Sequence, residues 1–226
     1  MSDPKIMALI PAHNEHLYIG AVVAAARRYL PVLVVDDGSR DETAALAEAA
    51  GAQVLRQTPN QGKGAALLAG FRACLEQGCQ AVVTLDGDGQ HDPDEILGFL
   101  DCYVKTGVNL VIGQRQFSKM PQPRATTNTI GRWMFSWAVG QRIPDNQSGY
   151  RLVGRQLMEL MLEDQKETGF ELEVDMITVC LKQGLGLAWV PIRTIYAGQS
   201  SHIRPLHHMV HYFRIVAKAR RTMRRK

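Results

Sequence analysis

No apolar run in this chain approaches the roughly 18 residues that a bilayer-spanning helix needs, so the sequence predicts a protein that does not itself cross a membrane. The opening MSDPKIMALIPAHNE holds an apolar stretch too short for a secretory leader, and it breaks into His-Asn-Glu. Cysteines are few: Cys74, Cys79, Cys102 and Cys180 form no C-x-x-C pair. That excludes a disulfide framework and suits reduced residues in or near the core of an intracellular protein. Internal repeats and low-complexity segments are absent. The phosphate-loop spacing G-x-x-x-x-G-K-[ST] is missing too, although NQGKG (60–64) carries part of its composition. His207, His208 and His211 have no acid or cysteine at a spacing that would complete a transition-metal site. Trp133, Phe135 and Trp137 suit a core or the wall of a channel better than a nucleic-acid platform, and no nucleic acid is expected as a partner.

What remains is an ordinary globular composition: 226 residues, 46% hydrophobic and 21% charged, enough for one sizeable core. The net charge of +4 is unevenly placed. The last ten residues, AKARRTMRRK, carry six Lys or Arg and no acid, which leaves the other 216 at −2. The basic character therefore belongs to the tail and points to an anionic surface as a partner of that tail.

The first 115 residues alternate between short Val/Ile/Leu runs and amphipathic stretches. Strands are expected at 5–12, 32–36, 53–56, 81–86 and 109–113, and helices at 16–28, 41–50, 63–77 and 93–105. Continuous apolar strands separated by helices predict an α/β fold, a Rossmann-like, mostly parallel sheet flanked by helices. Beyond Phe117 the rhythm changes. Helices are expected at 126–140, 171–183 and 205–225, and strands at 150–153 and 188–195.

In such a sheet, ligands bind outside the carboxyl ends of the strands. Three strand ends carry polar clusters: PAHNE after the first, DDGSRD after the second and DGDGQHD after the strand at 81–86. Asp86 and Asp88, spaced by glycines, offer hard oxygen ligands for Mg²⁺ or Mn²⁺, with a diphosphate completing the shell. Asp92 before Pro93, with Glu95 following, reads instead as a helix start. Asp37 is the better ligand of its pair, and Asp41 a helix cap. Lys63 stands at the start of a helix, where N–H groups favour anions.

In that order and spacing, PAHNE, VVDDGSRD, NQGKG and TLDGDGQHDP resemble inverting glycosyltransferases of family 2 with the GT-A fold, nearest to the dolichyl- or polyprenyl-phosphate sugar synthase branch. The likeness is strong over 5–115 and continues through DNQSGYRLVGR, GFELEVDM and VPIRTIYAGQSSHIRP. It implies one catalytic domain over 1–204, with 1–115 binding the nucleotide sugar and 116–204 facing the acceptor, followed by a basic amphipathic helix at 205–226. By this likeness Pro11, Ala12, Asn14, Glu15 and Asp37 hold the nucleoside, and Asp86 and Asp88 hold the metal with Gln90 as a third contact. Ser148 and Arg151 lie near a phosphate. Where the synthase branch has a Ser-Lys pair, this chain reads Ser201-His202, so Arg193 or Arg204 is expected to take the phosphate role.

The acceptor decides whether a base is needed. A hydroxyl must lose a proton, whereas a phosphate is already an anion. Glu171, Glu173 and Asp175 are the base candidates, with Glu171 first, or else they are solvated acids of a capped helix. The C-terminal helix has two readings as well. It lies on an anionic membrane near a lipid-linked acceptor, peripherally at the cytoplasmic face, or it packs on the domain with a solvated tail.

Overall fold

The computed structural model describes residues 4–115, 124–163, 172–193 and 205–224, and, within the helices that begin at Arg124 and Pro205, side chains from 131 and 213 onward. Seven strands form one sheet: β1 (Ile6–Ala12), β2 (Val32–Asp37), β3 (Gln53–Gln57), β4 (Ala81–Thr84), β5 (Leu110–Arg115), β6 (Arg151–Gly154) and β7 (Leu187–Ile192). Their order is β3-β2-β1-β4-β6-β5-β7. All neighbours pair in parallel except β6, which runs antiparallel between β4 and β5, with Arg151 opposite both Thr84 and Ile112. The chain steps outward from β1 through β2 to β3, then returns to the other side of β1 with β4. That reversal opens a crevice at the carboxyl ends of β1 and β4, so the polar tips after β1, β2 and β4 share one edge.

The helices are α1 (Ile19–Ala26), α2 (Thr43–Ala49), α3 (Lys63–Glu76), α4 (Ile96–Thr106), α5 (Arg124–Val139), α6 (Arg155–Glu163), α7 (Leu172–Lys182) and α8 (Pro205–Arg224). Side chains alternate along β1. Met7 and Leu9 enter the core layer shared with α3, α5, α6, α7 and α8, while Ile6, Ala8 and Ile10 enter the layer under α1, α2 and α4. Both faces of the strand are therefore buried, which is why it reads as a continuous apolar run.

The element pattern matches the sequence reading, with shifts at the ends. The strand expected at 81–86 stops at Thr84, so Leu85 and Asp86 already belong to the tip, and the first helix begins at Ile19 rather than His16. Residues 155–163, left without an element by the sequence reading, are α6, whose Leu157, Met158 and Met161 face the core. For α8 the described half is packed rather than free: Ile215, Val216 and Ala219 are buried in the core layer, and Lys218 reaches Asp175 at 3.1 Å.

Helix α3 carries Lys63 at its first turn and is held by Phe71, a fully buried side chain. Phe71→Ala is expected to cost about 3–5 kcal/mol, through lost burial and the cavity left behind. Urea unfolding followed by circular dichroism measures it.

Candidate active site at the sheet switch point

The β1 and β2 tips are stitched together first. Asn14 adopts a left-handed backbone (φ 57), a conformation that Asn tolerates better than most residues. Its N–H donates to Ser39 Oγ at 2.9 Å, and its Oδ1 accepts the Arg40 N–H at 2.9 Å. The Glu15 N–H donates to Thr43 Oγ1 at 2.8 Å. Asp41 accepts from Thr43 and His16, and although burial opposes ionisation, the Thr43 and His16 hydrogen bonds hold its carboxyl at about 2. Asp37 is buried, and its carboxylate accepts the N–H groups of Gln61 (2.8 Å) and Gly62 (2.6 Å). It thereby anchors the loop before α3. Gly62 at φ 92 is the residue that turns this loop into the helix.

That anchoring places Lys63 on the β4 tip. Lys63 Nζ lies 2.6 Å from Asp86 Oδ1 and 3.2 Å from Glu173 Oε1 on α7. Burial opposes ionisation of Asp86, but the Lys63 ammonium outweighs it and brings the carboxyl to about 2. Burial likewise acts to lower the Lys63 pKa, and the two carboxylates overcome it and raise it. The space around this pair is tight: a methyl group at Gly149 would lie 2.9 Å from Lys63 Nζ and 3.1 Å from Asp86 Oδ2. Only glycine fits there without displacing the pair.

Asp88 is held by Gln90, whose N–H donates to Oδ1 (2.9 Å) and whose Nε2 donates to Oδ2 (2.6 Å). Glu15 stands close by, near the backbone of Gly87. Burial, then Asp88 and Asp86, raise its pKa. Behind the tip, His91 Nδ1 accepts the Asp86 N–H at 3.0 Å, which leaves the ring proton on Nε2. Burial pushes the His91 imidazole pKa down despite Asp86, with Lys63 adding to the effect, so the ring is neutral. His91 stacks on Tyr150, which stacks on Phe99 and donates its hydroxyl to the Asp92 carbonyl at 3.0 Å. Asp92 is the N-cap of the 3-10 turn that leads into α4, as its place before Pro93 predicts. Glu95 does not complete a capping box. Its Oε1 accepts the Arg193 N–H at 2.7 Å, tying the end of β7 to this turn.

Arg151 and Ser148 lie beneath the tip. Arg151 is fully buried, and its guanidinium donates to the carbonyls of Ser148 (2.7 Å), Asn146 (3.2 Å) and Glu173 (2.5 Å). Burial pushes its pKa down to about 10 against the pull of Glu173 and Asp145. Ser148 is buried, with no hydrogen-bond partner for its Oγ among the described residues. Pro11 and Ala12 are buried at the end of β1, and the Arg193 side chain is exposed. Glu171, Ser201, His202 and Arg204 lie outside the described residues. Four residues here were not singled out in the sequence: His91, Tyr150, Arg115 and Asp145. Arg115, at the end of β5, pairs with the buried Asp145 at 2.7 Å and 2.9 Å. Arg115 closing a strand, and the acid and aromatic inside DNQSGYR, were the available signals.

Among the described residues no three His, Cys, Asp or Glu side chains already converge as a metal cage. The donor set still fits Mg²⁺ or Mn²⁺. Asp86 and Asp88 are two hard carboxylates at one tip, and Asp86 is held ionised.

Lys63→Met is expected to destabilise the protein at pH 7 by about 1–3 kcal/mol, between an exposed and a buried pair. Asp86 has a folded-state pKa below its unfolded one. Its contribution is therefore complete above the unfolded value and fades as pH falls toward about 2. The difference between variant and parent should shrink from pH 7 to pH 3, as read by urea unfolding at both.

The model of the family described as "Glycosyl transferase family 2" matches residues 7–159. The chain is 32% identical over 207 residues to a polyprenol monophosphomannose synthase of Mycolicibacterium smegmatis, covering 83% of this chain and 76% of that one. It is 27% identical over 224 residues to a UDP-N-acetylglucosamine–dolichyl-phosphate N-acetylglucosaminyltransferase of Methanococcus voltae, covering 88% and 89%. Its fold is similar to that of glucosyl-3-phosphoglycerate synthase from Mycobacterium tuberculosis, solved with Mn²⁺, UDP and phosphoglyceric acid, at a TM-score of 0.72 and 21% identity over 96% of this chain and 77% of that one. With three polar tips on one edge of a GT-A sheet and a family match over residues 7–159, more than half of its length, the chain belongs to glycosyltransferase family 2.

Proposed function

We propose that this enzyme uses a divalent metal to move a sugar, with inversion, from a nucleotide-diphosphate donor to a polyprenyl or dolichyl phosphate. The observation that carries this reading is the β4 tip: Asp86 and Asp88 crowded at the switch point, with the Lys63 ammonium against Asp86. The acceptor class is supported by the two lipid-phosphate transferases to which the chain is similar. A phosphate oxygen of the acceptor forms the new bond to the anomeric carbon. The bond to the diphosphate breaks on the opposite face, and its electron pair leaves with the nucleotide. When bound, Mg²⁺ or Mn²⁺ supplies positive charge for that departing diphosphate.

In this reading Asp86, Asp88 and Gln90 hold the cation. Pro11, Ala12, Asn14 and Glu15 line the nucleoside end, and Asp37 shapes it through the 61–62 backbone. Lys63 holds Asp86 ionised and ready. Ser148, Arg193, Ser201, His202 and Arg204 are assigned to the acceptor side. Arg151 positions the 146–148 loop and α7 beneath the substrate.

A hydroxyl acceptor is the second reading, and Glu173 favours it. This carboxylate is 14% exposed and stands 3.2 Å from Lys63 at the site, where it is placed to receive a proton. Glu173→Gln separates the two. A phosphate acceptor needs no base, so transfer should hold within about tenfold, whereas loss of a general base costs about 10²–10⁴. Mass spectrometry of products from undecaprenyl or dolichyl phosphate with a panel of GDP- and UDP-sugars reads both rate and donor.

The metal assignment has its own test. A donor that binds with Mn²⁺ at 100 times its Kd adds about 2.7 kcal/mol, or roughly 5–11 °C in Tm for a chain of this size. Asp88→Ala should abolish that shift. If no nucleotide sugar shifts Tm in either protein, the transferase reading fails.

A further inference from the structure

The face formed by α5 and α8 lies apart from the Asp86 site. Trp133 and Trp137, four residues apart on α5, are 72% and 58% exposed, and Phe213 on α8 is 53% exposed. Side chains so large seldom stand in water in a group. Between the helices runs a groove of about 630 Å³, lined by Met134, Trp137, Phe213, Arg220, Arg221 and Arg224 among others. Arg220 lies over the Trp137 ring at 4.7 Å and donates to the Trp137 carbonyl at 3.2 Å. Its Nε–H has no hydrogen-bond partner among the described residues. On α8, Phe213, Ala217, Arg220, Arg221 and Arg224 recur every three or four residues, so they form one stripe. Neither helix contains an Asp or Glu.

We propose that this face docks the enzyme on an anionic lipid bilayer, with Trp133, Trp137 and Phe213 entering the headgroup boundary and Arg221 and Arg224 binding lipid phosphates. Tryptophan and arginine side by side are the composition of an interfacial surface: the amphipathic indole sits at headgroup depth and the guanidinium pairs with phosphate. The proposal places the contact on two packed helices, not on a free basic tail. Charge selects this occupant over a second copy of the chain, because a symmetric contact would set arginine against arginine. Helix α5 follows β5 in the chain and α8 follows β7, and both strands end at the site's edge. The proposal takes from the function above only that the acceptor is lipid-borne.

The test is flotation of the full chain with vesicles of phosphatidylcholine, with or without about 30% phosphatidylglycerol, at about 0.05 M salt, together with tryptophan emission. Expected are binding that is about tenfold or more stronger to the anionic vesicles and a blue shift on binding. The double variant Arg221→Glu/Arg224→Glu should lose about tenfold or more, and Trp133→Ser should lose part of the shift. All these positions are exposed, and unchanged circular dichroism and melting confirm the fold. Three results overturn the proposal: no binding to anionic vesicles, binding unaltered in both variants, or dimerisation of the parent that the arginine variant abolishes. Transfer to a short-chain prenyl phosphate without vesicles reads the catalytic site separately. Retained transfer with lost vesicle binding supports the surface. Vesicle binding without any transfer supports the surface too and counts against the catalytic reading alone.

Discussion

Carboxylates gathered at the carboxyl ends of β1, β2 and β4 repel one another, and the Lys63–Asp86 contact is what lets them share that edge. At 2.6 Å the pair is close enough to hold Asp86 ionised well below the ordinary carboxylate range despite its burial. The neighbouring Glu15, without such a partner, moves the other way. One edge thus contains a carboxylate held charged, chiefly by the Lys63 ammonium, and a carboxylate pushed toward its neutral form by burial and by its acidic neighbours.

The surrounding structure exists largely to put that ammonium in place. Asp37 spends both carboxylate oxygens on the Gln61 and Gly62 N–H groups, which sets where α3 begins and hence where Lys63 stands. Gly149 leaves out the side chain that would collide with the pair. From below, Arg151 fastens the 146–148 loop to α7, so Gly149 and Glu173 are fixed by the same buried guanidinium. From behind, Tyr150, itself backed by Phe99, stacks on His91, whose neutral ring holds the Asp86 N–H. A half-satisfied polar network of this density would be costly in a core. Among the described residues, two buried oxygens of this network, Ser148 Oγ and Glu95 Oε2, have no hydrogen-bond partner.

Much of this was legible in the chain because it rests on local pattern. Buried strands such as VLVVDD declare themselves by unbroken Val and Leu, and the switch from apolar to Asp-Gly-Asp marks the tip. What was not legible depends on partners distant in sequence. Nothing in RLVG tells that β6 runs antiparallel between β4 and β5, because a four-residue apolar strand buried on both faces reads alike in either direction. The two N–H groups that Asp37 holds were not legible, because they are 24 and 25 residues away. Nor was the burial of Arg151 among carbonyls, because such burial leaves no mark on the neighbouring sequence. For helix α8 the sequence left two readings, on a membrane or packed on the domain, since the core layer that takes its Ile215, Val216 and Ala219 is assembled from helices far away in the chain.

That last ambiguity has a physical resolution. An apolar stripe on a basic helix can be used once, against the protein or against lipid, and on α8 the core takes Ile215, Val216 and Ala219. What is left for a membrane is the adjoining stripe with Phe213, Arg221 and Arg224, joined by the α5 tryptophans. The last ten residues bring six positive charges while the remaining 216 sum to −2, so an anionic surface attracts one end of the molecule and weakly repels the rest. Over a Debye length of about 8 Å this asymmetry acts only at close approach. It therefore adds little to a long-range search and mainly fixes which side faces the lipid. Under the proposed function orientation is the larger gain, because the acidic Asp86–Asp88 tip would be repelled if it met an anionic surface first.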